Sequence, residues 1–106
     1  MPEGPEIRRA RDELAEVLEQ GRVTKIFFAF NTLKHYQSKL KNNRIIEVKA
    51  KGKAMLIRFS NGYTIYSHNQ LYGKWIISPD GQTPDVKRQL RLSIHMQEGA
   101  AFLYSA

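Results

Sequence analysis

The chain has 106 residues, 42 % of them apolar, with 17 Lys and Arg against 10 Asp and Glu for a net charge of +7, and no cysteine. That length fits one domain with a modest core. It excludes a disulfide framework or thiolate metal site, a membrane span of ~18–20 apolar residues and, given Arg8, Arg9 and Arg11, a secretory signal.

The expected location is therefore cytoplasmic. A basic domain without a membrane segment calls for a polyanion, most simply nucleic acid, against the plainer alternative of a well-solvated surface. The charge is uneven: 12 Lys and Arg fall in residues 1–53 and 5 in residues 54–106.

Residues 5–20 read as one amphipathic helix, with Ile7, Ala10, Leu14, Val17 and Leu18 in a single stripe. Pro5 and Glu6 suit its first turn, and Gly21 is a natural stop. Strands then take over. Val23 to Phe30 alternates and becomes continuously apolar, and Asn31 to Asn43 reads as a basic loop with some helical turn. Arg44 to Ala50 alternates again. Ala54–Phe59 and Tyr63–Ser67 flank the turn Ser60-Asn61-Gly62. Lys74–Ser78 is a short strand, Ser78–Asp85 a loop, and Leu90–Met96 with Ala101–Tyr104 a second hairpin around Gln97-Glu98-Gly99-Ala100. One helix before about seven such strands favours a sandwich or barrel. The expected fold is mainly β with α, an antiparallel β-sandwich of about seven to eight strands preceded by the helix. Phe27, Phe28, Phe30, Phe59, Phe102 and Trp75 read as core.

Three short stretches carry chemistry. Removal of Met1 would expose the secondary amine of Pro2 beside the carboxylate of Glu3. An α-amino group titrates near ~8, and the nearby positive helix end should lower that. Such an amine can attack C1′ of a nucleotide sugar while Glu3 moves a proton. The bland alternative is a proline after the start codon and a helix-capping Glu3. Lys51-Gly52-Lys53 sits between two predicted strands, and Lys53 could hold a phosphate or stabilise charge on a leaving group; an exposed basic turn is the alternative. Gln70, Leu71 and Tyr72 precede Gly73 in a segment that breaks strand alternation. They suit a wedge filling the gap left by an extruded nucleotide, or else Leu71 and Tyr72 join the core. His68 beside them could position a phosphate. His35 reads as a surface residue and His95 as a strand residue. The three histidines share no metal-ligand spacing, so no metal and no other cofactor is expected in this chain.

Taken together, Pro2-Glu3-Gly4-Pro5-Glu6-Ile7, Lys53 after Gly52, and Tyr66-Ser67-His68-Asn69-Gln70-Leu71-Tyr72-Gly73 resemble the formamidopyrimidine-DNA glycosylase/endonuclease VIII family, most closely its endonuclease VIII branch. The resemblance covers essentially the whole chain. It implies a base excision repair glycosylase and AP lyase acting on oxidised pyrimidines in damaged double-stranded DNA. Pro2 would form an imine with C1′, Glu3 would assist ring opening, and Lys53 would contact phosphate. Glu6 would help arrange the site, and Gln70, Leu71 and Tyr72 would intercalate. A bacterial, nucleoid-associated setting follows from the same resemblance.

The family continues into a helix-two-turn-helix module and usually a zinc finger, neither of which this sequence contains. Residues 1–106 are thus expected to be a single N-terminal catalytic domain. A face that normally meets the second half would be available for dimerisation. Two other classes stay open: a catalytically silent basic module binding DNA or protein, and an unrelated N-terminal-proline enzyme such as a tautomerase acting on small carbonyl compounds.

Overall fold

The computed structural model describes residues 5–52, 54–68, 74–84 and 89–104; at residues 5–7, 68 and 74 the description is of the backbone alone. Helix α1 (Pro5–Leu18) is followed by β1 (Val23–Phe28), a 3-10 turn (Asn31–Leu33), the short helix α2 (Tyr36–Leu40), then β2 (Ile45–Lys51), β3 (Ala54–Phe59), β4 (Thr64–His68), β5 (Lys74–Ser78), β6 (Leu90–Met96) and β7 (Gly99–Tyr104). The strands form two antiparallel sheets, β2-β3-β4 and β1-β6-β7-β5. The expected sandwich with its leading helix is present.

The core lies between the sheets and holds Val23, Ile26, Phe28, Val48, Met55, Ile57, Phe59, Leu92, Ile94 and Leu103. Helix α1 packs against β2, β5 and β7, and α2 packs against β1. Leu14 and Leu18 of α1 are fully buried, with Ala10, Ala15 and Val17 against the same core. The stripe read from the sequence is therefore the packed face, except that the side chain of Ile7 lies outside the described residues.

Register shifts interrupt the alternation of two strands. One falls between Val23 and Lys25 in β1, the other between Ile45 and Glu47 in β2. Each inserts a residue, so Val23 and Ile26, like Ile45 and Val48, are buried at a spacing of three. Strand β7 is buried at every position. Ala101 and Leu103 face the main core, while Ala100, Phe102 and Tyr104 pack with Ile76 and Leu90 on the other face.

Several boundaries differ from the sequence reading. The helix ends at Leu18, and Gln20, not Gly21, takes the left-handed conformation with φ 67°. Gly21 serves a different purpose: a Cβ there would stand 2.6 Å from Met96 Cε. Strand β1 ends at Phe28, so Phe30 is not core. It leads into the 3-10 turn and is 48 % exposed, while Phe27 is half-buried. Trp75 is half-buried against the core, and Phe28, Phe59 and Phe102 are buried as expected. The second hairpin is tighter than expected. Met96 pairs with Gly99, leaving Gln97-Glu98 as its loop.

A convergent pole of the sandwich

The two polar groups of Val48 explain how α1 is aligned. Strand β2 is an edge strand, and an edge exposes unpaired backbone groups. Arg11 Nε donates to the Val48 carbonyl at 2.9 Å, and the Glu19 carboxylate accepts from the Val48 N–H at 2.7 Å. Arg11 and Glu19 are also joined at 3.3 Å. Beyond the helix end, Gln20 N–H donates to the Ile45 carbonyl and Ile45 N–H to the Gly21 carbonyl. Near the helix start, Arg8, Arg11 and Asp12 share a shallow cleft with Lys49 and Ala50. Helix and strand therefore run in opposite directions, and the N-terminal end of α1 lies where β2 finishes.

Two other connections meet that end. Lys51 pairs with Ala54 across the β2–β3 turn, where Gly52 has φ +59°, a left-handed conformation that favours glycine. Ala54 in turn pairs with His68, the last residue of β4. The chain leaves β4 there and rejoins the other sheet at Lys74, opposite Tyr104. One pole of the sandwich thus gathers the start of α1, the residues on either side of Lys53, and the exit of β4 into residues 69–73.

The predicted site residues flank these points. Pro2, Glu3, Lys53, Gln70, Leu71 and Tyr72 lie outside the described residues, as do the side chains of Glu6 and His68. Their described neighbours are brought together: Pro5 follows Glu3 by two residues, Gly52 and Ala54 bracket Lys53, and His68 precedes Gln70 by two. The exposed side chains of Arg8, Arg9, Lys49 and Lys51 add positive charge on the elements that lead to this pole. Sequence reasoning did not single out Arg11 and Glu19. Their spacing of eight carried no motif, and only the fold reveals Val48 between them.

Elsewhere, His95 stands edge-on to Phe102 with ring centroids 5.4 Å apart. Burial, assisted by Lys25, holds its pKa below the usual imidazole value. Burial alone raises that of Tyr104. No group of three His, Asp or Glu side chains among the described residues could hold a metal ion. No helix among them is long and apolar enough to cross a membrane.

Residues 1–105 match the model of the formamidopyrimidine-DNA glycosylase N-terminal domain. The chain is similar to a protein named Endonuclease 8 from Pectobacterium carotovorum, at 46 % identity over 106 residues. It is similar to another of the same name from a strain of Escherichia coli, at 47 %. In both cases all of this chain aligns with 40 % of the relative, so it spans about two fifths of their length. Among solved structures, the fold is shared with the Lactococcus lactis Fpg in complex with abasic-site DNA. The TM-score is 0.79 at 18 % identity, covering 97 % of this chain and 40 % of that one. A MutM complex with DNA containing carbocyclic 8-oxo-G gives the same four values.

Proposed function

This chain belongs to the formamidopyrimidine-DNA glycosylase family by its match to the N-terminal domain, and from that premise we propose that it is the catalytic domain of a glycosylase and AP lyase that removes oxidised pyrimidines from double-stranded DNA. The observation that carries the reading is the convergence at one pole of the α1 N-terminal end, the Lys51–Ala54 turn and the exit of β4 at His68. That convergence of their described flanks supports the reading that the three motifs serve a single site.

In this reading Met1 is removed and the lone pair of the Pro2 nitrogen attacks C1′ of the damaged nucleotide. The bond from C1′ to the base breaks, and the base leaves with a proton supplied at the site. Glu3 passes a proton to the sugar ring oxygen as the ring opens, leaving a cationic imine between Pro2 and C1′. The imine acidifies the C2′ protons. Loss of one expels the 3′ phosphate, and a second elimination expels the 5′ phosphate. Lys53 holds a phosphate and stabilises its departing charge. Glu6 arranges the site, and His68 contacts a phosphate. Gln70, Leu71 and Tyr72 fill the space vacated by the extruded nucleotide. No cofactor takes part in these steps.

Borohydride trapping on DNA containing an abasic site tests the assignment. The protein lacking Met1 should form a covalent adduct that Pro2→Gly retains weakly and an acetylated N-terminus abolishes. A methionine-free protein that binds the DNA in a salt-dependent manner yet forms no adduct would instead be a silent DNA-binding module.

A further inference from the structure

Four of the five exposed large apolar side chains among the described residues lie together: Phe30, Leu33, Tyr63 and Tyr66. They line two adjoining hollows that share Phe28, Leu33, Ile65 and Tyr66. The larger encloses about 550 Å³ and the smaller about 260 Å³. Together they make one groove along the edge strand β4, roughly 13 Å from Tyr63 to Ser67 at the strand rise. Its upper end, at Ser67, is one residue from the pole described above. Clustered exposed apolar surface of this kind marks a binding site rather than ordinary scatter.

Among the described residues one cation, Arg91, lines the groove. The Arg91 guanidinium lies 5.2 Å from the centre of the Phe30 ring. Outside the lining, Lys34 Nζ stands 4.5 Å from the Phe27 ring centre and donates to the Phe28 carbonyl, and Lys39 Nζ lies 5.9 Å from the ring centre of Tyr36. No described carboxylate lines either hollow. Arg91 also carries a polar atom in want of a partner: its Nε is buried and meets no hydrogen-bond acceptor among the described residues.

We propose that this groove binds unpaired bases of single-stranded DNA, with Tyr66 and Phe30 as stacking platforms and Arg91 facing a phosphate. Aromatic faces beside a cation match a single strand, because every unpaired base offers a π-face and every linkage a negative charge. A duplex hides its base faces and would use only the cation. The inference is independent of the Pro2 chemistry, since it concerns undamaged DNA and needs no covalent step.

The test is fluorescence anisotropy of a labelled oligothymidine single strand, and of a duplex of equal length, with the 106-residue chain. Tyr66 is 64 % exposed, so its truncation leaves the fold intact. Tyr66→Ala and Phe30→Ala should each weaken single-strand binding about tenfold. Tyr66→Phe should bind as the unmodified protein does, and duplex binding should change less than about twofold across the set. Arg91→Gln should weaken binding and lower the salt slope by about one. In the unmodified protein, titration with oligothymidine should shift the Tyr66 ring signals in NMR. Alanine variants that bind the single strand normally, equal losses on single strand and duplex, or unmoved Tyr66 signals would each overturn the proposal. So would a dimer that Tyr66→Asp dissociates, since the groove would then be an interface between two copies.

Discussion

Replacing Glu19 with alanine should cost far more stability than a half-exposed carboxylate ordinarily does. Its oxygen accepts the Val48 N–H at 2.7 Å and the Arg11 guanidinium at 3.3 Å, and Val48 is fully buried. A hydrogen bond to a charged group contributes about 1.5–3 kcal/mol, and a buried N–H left without a partner costs about 1–3 kcal/mol. These are two views of the same loss rather than two losses. The expected change is therefore about 2 kcal/mol, or a fall in Tm of roughly 8–16 °C for a domain of this size. Glu19→Gln keeps an acceptor without the charge and should lose about half as much. Asp12→Ala removes the other carboxylate on Arg11, at 3.1 Å on the exposed side, and should change stability by less than about 1 kcal/mol. Urea unfolding of the three variants measures all of this. If Glu19→Ala unfolds within about 0.5 kcal/mol of the parent, the clamp on Val48 does not hold α1 to β2.

Other consequences are equally open to measurement. Gly52→Ala places a side chain at φ +59° with nothing within 4 Å. It should cost about 1–2 kcal/mol of stability from backbone strain alone, while borohydride trapping falls further than folding does, because the same turn carries Lys53. Gly21→Val should destabilise by about 1–3 kcal/mol through overpacking on Met96; Met96→Ala in the same chain should recover part of that. His95 has its pKa depressed in the folded state, so the unfolded chain binds the proton more readily. Stability present above pH ~6.5 should be lost as pH falls through the folded value. His95→Gln should flatten that slope in denaturation series across pH 5–8.

The order of elements was readable because each is local. The helix stripe at Leu14 and Leu18, the Asn61-Gly62 turn and the basic charge all follow from neighbours in sequence. Phe30 was misread because an apolar run looks alike inside a strand and just beyond its end; only the termination of β1 against Arg91 separates them. The bulges in β1 and β2 were invisible because they are properties of pairing, set by partners Met96 and Phe59 far along the chain. Pro2, Lys53 and the 70–72 triplet could be nominated as residue types with suitable chemistry and by family resemblance. That their flanks share a pole could not be inferred from spacing, since it depends on the Lys51–Ala54 and Ala54–His68 pairs. The aromatic groove went unread for the same reason, its walls coming from β1, β4 and β6.

The Ser60-Asn61-Gly62 turn acquires a different meaning from this register. It joins β3 to β4 at the end away from Lys53, with Phe59 bonded to Tyr63 across it, about five residues or ~17 Å from Ala54. Pairing along the two strands is continuous from Arg58–Thr64 to Ala54–His68. The turn therefore acts as a gauge block. Adding or deleting one residue there would slide β4 by one position, about 3.4 Å, and exchange its two faces. The end of β4 at His68 would then be offset against Gly52 and Ala54 without any change at either place. Spacing between the β2–β3 turn and the end of β4 is thus fixed by a tight turn that touches neither.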